Sequence, residues 1–287
     1  MLSAMRGVAI ALATCAGCGL FPSLDGFTGG DASSSDASSD AISSDVAKSD
    51  GQTTPDGGGD AAVTYRATIL ADKPVGYWRL GGTNQTAADE LGQHAGTAHG
   101  NITFGVPGAI ANDPDTAAQF VDRTGWIDVP GPFQFTGKVP FSVEVWGKSD
   151  TITDYSPLAS CDGPLNGSPQ QGWSFYFDLD GTLVFGRYDI DAGTRNYAVT
   201  SFSPSINNWH HFVSTVDGTT ESIYVDGVLA DAEPAGNESI TADHLAIGAD
   251  SQGTGVAFQG VLDEVAIYDF ALDAAQVKHH YDVGLGK

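Results

Sequence analysis

Positive charge is scarce in this chain: 12 Lys and Arg stand against 36 Asp and Glu, a formal charge of −24 over 287 residues. A nucleic-acid binder needs a cationic face that releases counterions from phosphate, and so few cations supply none, so polyanions are excluded as partners. Cysteine is equally sparse. Of three, only Cys161 lies away from the N-terminus, which leaves no disulfide inside a folded domain and marks Cys161 as a buried apolar thiol. Motifs of catalysis are missing too: there is no Gly-x-Ser-x-Gly elbow, His-Glu-x-x-His helix, phosphate loop or paired-cysteine metal motif. No internal repeat appears, which argues against a propeller or solenoid. Charged residues make up only 17% while glycine reaches 37, nearly twice the usual share of ~7%. That balance suits turn-rich β structure and excludes a coiled coil or helical bundle.

What is present begins with an address. Residues 1–20 carry Arg6, then the apolar run 7–13, then the small-residue cluster Thr14, Cys15, Ala16, Gly17 and Cys18, the organisation of an export signal. The run is shorter than the ~20 apolar residues that span a bilayer. The segment resembles a bacterial lipoprotein signal peptide, which implies cleavage before an acylated cysteine. Cys18 has the better flank, Ala16 and Gly17 before it; Cys15 is the alternative. An ordinary secretory signal is the alternative to a lipoprotein signal. Residues 21–63 form a linker, and its stretch 31–60 is dominated by Ser, Asp, Ala, Gly and Thr with Lys48 as its cation. Such a segment cannot bury enough apolar surface to offset ordering, so it is expected to be a disordered, extended spacer.

Residues 64–287 fit one domain. Short β-branched and aromatic runs recur at 75–80, 117–121, 126–129, 141–146, 173–177, 183–185, 209–213, 222–225 and 261–268, separated by Gly, Asp, Asn and Pro. In the run at 141–146, Phe141, Val143 and Val145 alternate with Ser142, Glu144 and Trp146, as in a half-buried strand. Asp-Gly pairs at 180–181, 217–218 and 226–227 suit tight hairpins and antiparallel neighbours. One helix is expected near the C-terminus, capped by Asp273 with Gln276 three residues on and with Val277 and Tyr281 sharing a face.

Four blocks now appear in order: Pro-Val-Gly-Tyr-Trp-Arg-Leu at 74–80, Phe-Ser-Val-Glu-Val-Trp at 141–146, Trp-His-His-Phe-Val at 209–213 leading to Tyr-Val-Asp-Gly at 224–227, and Phe-Gln-Gly-Val-Leu-Asp-Glu-Val-Ala-Ile-Tyr at 258–268. Together they resemble the laminin-G-like, concanavalin A-like jelly-roll domain of bacterial surface proteins. The resemblance implies an all-β sandwich of two antiparallel sheets. It does not fix function, because lectins, adhesion modules and glycosidases share the architecture. The Glu-x-Asp-x-x-Glu strand of related glucanases has no match, and Glu144 and Glu264 fall in strands that the family's binding modules also carry.

The resemblance also implies a structural calcium. Asp89 begins a loop like the family's Asp-x-x-Gly, and Asp263 occupies its Leu-Asp-Glu position; in similar domains the two carboxylates meet at one ion, here with the carbonyl of Gln93. The alternative is that Asp89 caps a turn and Asp263 pairs with a neighbouring strand. Asp189 and Asp191 lack the remaining EF-hand positions and read as a plain loop. The histidine neighbours, His210 with His211 and His279 with His280, diverge on a strand and a helix, so neither pair chelates an ion by itself.

For carbohydrate, a site wants flat rings beside polar groups. Around Asp180-Gly181, Trp173, Phe175 and Phe177 share an apolar core face, and Ser174, Tyr176 and Asp178 take the other. A two-residue turn would set Arg187 opposite Ser174 on the face of Tyr176, so Tyr176 and Arg187 are the expected ligand contacts. The sequence thus predicts a non-catalytic binding module, anchored by lipid outside the cytoplasm at the bacterial surface, that recognises glycan or another extracellular polymer. A protein-binding adhesion module and a polysaccharide-degrading enzyme of the same fold are the alternatives.

Overall fold

The computed structural model describes residues 64–82, 85–151, 155–163, 171–242, 244–250 and 256–287. The chain divides into two units, Met1–Gly57 and Gly58–Lys287. The export segment with Cys15 and Cys18, and the linker to residue 63, lie outside the described residues.

Helix α1 (Tyr65–Ala71) precedes β1 (Gly76–Trp78), β2 (Thr86–Ala87), β3 (Gly96–His99), β4 (Ile102–Pro107), β5 (Thr116–Phe120) and β6 (Trp126–Pro130). There follow β7 (Phe141–Ser149), β8 (Ser156–Asp162), β9 (Gln171–Phe177), β10 (Leu183–Asp189), β11 (Thr194–Val199), β12 (His210–Val216), β13 (Thr220–Val225), β14 (Val228–Pro234), β15 (His244–Ile247) and β16 (Gly260–Tyr268), then helix α2 (Ala274–Gly284). The strands form two eight-stranded sheets. The first runs β14-β13-β12-β7-β16-β5-β4 with β1 also paired to β16; the second runs β11-β10-β9-β8-β15-β6-β3-β2. Every strand pair among the described residues is antiparallel, and chain-distant neighbours such as β7 with β16 and β8 with β15 make the crossovers of a jelly roll.

Alternation sorts the faces. Phe141, Val143 and Val145 of β7 point between the sheets and meet Trp173, Phe175, Phe177 and Phe185 of the second sheet in one buried cluster. Each such side chain contributes roughly 1.5–3 kcal/mol of burial. Glu144 and Trp146, one position out of phase, point to the other face of the first sheet, where Tyr65 and Ile69 of α1 and Val277 of α2 cover them. Helix α2 begins as its sequence indicates, with Asp273 and Gln276 completing a reciprocal capping box.

The Asp-Gly pairs at 180–181, 217–218 and 226–227 build three different turns. At Asp226-Gly227 both residues have positive φ, 53° and 76°, between the paired Val225 and Val228, a two-residue turn of the mirror-image type favoured in hairpins. At 217–218, Asp217 itself pairs with Thr220 and Gly218 takes the φ of 92°. At 180–181 the loop is one residue longer: Asp178 N–H donates to the Thr182 carbonyl, so Leu179, Asp180 and Gly181 form a three-residue turn with Gly181 at φ 82°.

Beneath the helices, Glu144 is a hub. It is fully buried and accepts from Tyr65 Oη and Tyr268 Oη, both at 2.8 Å, from His211 Nε2 at 2.7 Å and from His280 Nδ1 at 3.0 Å. Trp146 Nε1 donates to Tyr65 Oη at 2.9 Å. His280 Nε2 reaches Asp72, the C-cap of α1, at 3.0 Å. With a carboxylate on each ring nitrogen, His280 satisfies both only as the doubly protonated imidazolium. Burial by itself would lower its pKa, but Glu144 and Asp72 raise it to about 9. Burial likewise opposes charge on Glu144, and the His280 and His211 imidazoles outweigh it, holding its carboxyl well below the usual range.

Because the folded pKa of His280 lies above its ordinary value, its stabilisation is complete below about pH 6.5 and is lost as pH rises through about 9. We therefore expect the melting temperature to fall on going from pH 6 to pH 9.5, by roughly 4–8 °C if ~2 kcal/mol is lost. His280→Gln should flatten that slope in thermal melts monitored by circular dichroism.

Candidate functional site

With α1 and α2 over the outer face of the first sheet, the outer face of the second carries the more open concavity of interest. Its outward positions on β9 to β11 are Ser174 and Tyr176, then Val184, Gly186 and Tyr188, then Arg195, Tyr197 and Val199, as the registers Val184↔Tyr176, Gly186↔Tyr197 and Tyr188↔Arg195 require. They form a groove of about 360 Å³ lined by Tyr155, Gly163, Tyr176, Tyr188, Ile190, Arg195 and Tyr197. Ligand pockets commonly fall between roughly 300 and 1,000 Å³.

The rings pack on one another and on a glycine floor. Tyr155 and Tyr176 lie 4.5 Å apart between centroids with planes at 40°. A Cβ at Gly186 would fall 2.7 Å from Cδ1 of Tyr197 and 3.7 Å from Cε1 of Tyr176. Glycine at 186 is what lets the Tyr197 ring lie across the strand. Tyr188 Oη donates to Asp162 at 2.5 Å, and Ser160 Oγ donates to the other oxygen of Asp162 at 3.1 Å. Tyr155 Oη and Ser174 Oγ are 3.4 Å apart. Burial pushes the phenols of Tyr155, Tyr176 and Tyr188 well above the ordinary value, aided at Tyr188 by the Asp162 charge. They stay neutral at any physiological pH and can donate hydrogen bonds.

Of the two side chains expected to touch ligand, the structure sends only Tyr176 to this face. Arg187 lies on the core face. The extra residue in the turn at 179–181 shifts the register by one, so Arg187 pairs with Trp173 instead of Ser174. A slip of one residue exchanges the faces of a whole strand. Arg187 is fully buried, with Nη1 3.3 Å from Glu221 and Nη2 donating to the carbonyls of Phe135 at 3.1 Å and Gly137 at 2.5 Å. Its guanidinium also stacks 5.7 Å from the Phe141 ring centroid. It ties β10 to β13 through the core. Tyr155, Tyr188 and Tyr197, absent from the sequence-based site, complete the groove. The Thr-Arg-Asn-Tyr-Ala-Val run of β11 has no apolar alternation to announce a strand.

Asp89, Gln93 and Asp263 are also placed. The Asp89 carboxylate accepts four backbone N–H groups: Tyr77 and Leu91 on Oδ1 at 3.1 Å each, Gln93 and His94 on Oδ2 at 2.9 Å each. Burial opposes its charge, and the amides outweigh burial and hold its pKa below the ordinary value. Asp263 Oδ2 accepts from the Ala109 amide at 2.8 Å, while Oδ1 is buried with no hydrogen-bond partner. Burial and the adjacent Glu264 raise the Asp263 pKa. No partner is shared between Asp89 and Asp263, and Gln93 offers Asp89 its N–H. Among the described residues no group of three or more His, Cys, Asp or Glu is arranged to hold a metal ion.

Glu264 follows at a bulge in β16 with φ 52°. It is buried, bonded by Tyr77 Oη and by Arg79 Nε and Nη2 at 2.9 and 2.8 Å. Arg79 also reaches Asp113 at 2.8 Å. A larger depression of about 760 Å³ beside it, bordered by Arg66, Arg79, Asp113, His279 and Lys287, has its arginines already engaged, Arg66 by Glu90 and Arg79 by these acids.

The concanavalin A-like lectin/glucanases superfamily matches residues 121–278, more than half of the 287-residue chain. The chain belongs to that superfamily. Domain 4 of the extracellular arabinanase AbnA from Geobacillus stearothermophilus, solved with arabinotriose, superposes with a TM-score of 0.58 at 21% identity, over 73% of this chain and 98% of that one. The botulinum neurotoxin serotype G binding domain gives 0.53 at 14% identity over 73% and 51%. Trypanosoma rangeli sialidase in complex with 2,3-difluorosialic acid gives 0.51 at 16% over 72% and 32%. At these identities the likeness is one of fold. Calsyntenin-1 of Rattus norvegicus is 25% identical over 134 residues, which are 45% of this chain and 14% of that protein. This superfamily member therefore corresponds to only a small part of that relative.

Two expectations follow from the placements. Arg187→Ala leaves Glu221 uncompensated in the core and should destabilise the domain by ~3–5 kcal/mol, read as a lowered denaturant midpoint. With both oxygens of Asp89 occupied by backbone amides, melting curves in calcium and in chelator should coincide; a calcium-dependent rise would show that Oδ1 of Asp263 recruits an ion.

Proposed function

We propose that this domain binds glycan in the tyrosine groove of its second sheet and does not transform it. The observation that carries the reading is the set of four tyrosines, Tyr155, Tyr176, Tyr188 and Tyr197, around one concavity. Sugar C–H faces pack on flat rings and sugar hydroxyls need polar neighbours; neutral phenols supply both. Proteins of similar fold solved with arabinotriose and with a sialic acid derivative support carbohydrate as the ligand class.

Glycoside hydrolysis needs two carboxyls flanking the scissile bond. Among the described residues no carboxylate lines this groove, and Asp162 beneath it is engaged by Tyr188 and Ser160. Display outside the cytoplasm, with the chain anchored by lipid at Cys18 or Cys15, belongs to the same proposal and is supported by the export-like segment at 1–20. Among the described residues no helix is long and apolar enough to cross a membrane.

A glycan array followed by calorimetric titration tests the reading. Tyr176→Ala and Tyr197→Ala should each weaken binding about tenfold, since one ring contact is worth roughly 1–1.5 kcal/mol, with an unchanged melting temperature for the exposed Tyr197. Failure to bind any glycan, with capture of one protein partner instead, would favour the adhesion-module reading. Release of reducing ends from a polysaccharide would establish an enzyme.

A further inference from the structure

The charge inventory of the groove contains one anomaly. Arg66 is held by Glu90, Arg79 by Glu264 and Asp113, Arg123 by the Tyr155 carbonyl and Arg187 by Glu221. Arg195 is the one arginine among the described residues with neither a hydrogen bond nor an ion pair. In a chain with three carboxylates for every cation, an arginine left without a partner is unexpected. It is exposed, it stands opposite Tyr188 across the β10–β11 pair, and it lines the tyrosine groove.

A guanidinium offers a planar fork of donors that matches a carboxylate, and it stays charged at all relevant pH. The acids around the groove do not occupy it. Asp162 takes hydroxyl donors from Tyr188 and Ser160, and Asp178 and Asp250 act on Tyr176 and Tyr155 only as nearby charges. These same acids, with the formal charge of −24, repel a densely charged polymer. One cation at the rim of an aromatic groove fits one anion.

Resting on the glycan-binding reading, we propose that Arg195 makes the groove selective for an otherwise neutral glycan bearing a single carboxylated sugar, its carboxylate on the guanidinium and its ring on the tyrosines. The sugar's identity, sialic or uronic acid, is a choice between two sources of one chemistry.

The test titrates the full chain with matched pairs: 3′-sialyllactose against lactose, and glucuronosyl-xylotriose against xylotriose. At low salt one acidic member should bind about tenfold more tightly than its neutral partner, and the ratio should narrow as added salt screens the exposed pair. Arg195→Gln should bring that ratio close to one with an unchanged melting temperature, and the pair that responds names the sugar. Equal affinity for acidic and neutral members, or a ratio untouched by Arg195→Gln, overturns the selectivity while leaving glycan binding intact. Absence of binding to every glycan overturns both.

Discussion

Each sheet of this domain buries one face against the other, and a strand cannot turn one side chain inward without turning its neighbours outward. That coupling governs everything functional here. Trp173, Phe175 and Phe177 enter the core, and their burial obliges Ser174 and Tyr176 to face out. Phe185 and Arg187 enter it too, which obliges Gly186 and Tyr188 to face out and so builds the groove floor. The groove face is thus the complement of the core.

The two outer faces then part company. On the first sheet, Glu144 gathers two tyrosines and two histidines from β12, β16, α1 and α2. A carboxylate so buried is costly unless every lone pair is used, and the helices that supply its donors also cover the face. On the second sheet the described residues include no such cover over β9 to β11, and aromatic rings stand on that surface instead. The asymmetry between a latched face and an open one is what makes the tyrosine groove the candidate site.

Charge follows the same division. Arg187, Arg79 and His280 are spent on buried or half-buried carboxylates, where they neutralise groups that would otherwise be uncompensated. Arg195, on the open face, has no such duty. The few cations of an acidic chain are therefore informative by their position: those inside hold the fold, and the one arginine at the groove has no partner within the described residues.

Much of the fold was legible from residues alone. Each of the nine apolar runs contains strand residues, the capping box of Asp273 and Gln276 sets the start of α2, and the alternation from Phe141 to Trp146 correctly divides core from outer face. Strands such as β8 and β11, with Ser, Ala, Asn and Thr among their residues, carry no periodic signal, and β15 and α1 are too short to show one. Tyr176 was legible as an outward ring because its own strand alternates. Arg187 was not, because a turn of three residues instead of two moves every partner of β10 by one position, and only a hydrogen bond between Asp178 and Thr182 distinguishes the two. The sequence by itself determined that the chain is an acidic, glycine-rich antiparallel sandwich, since those properties are local. Which tyrosines share a groove, which arginine is free and which histidines meet at Glu144 were decided by tertiary structure, because registers and crossovers bring together residues that no local pattern links.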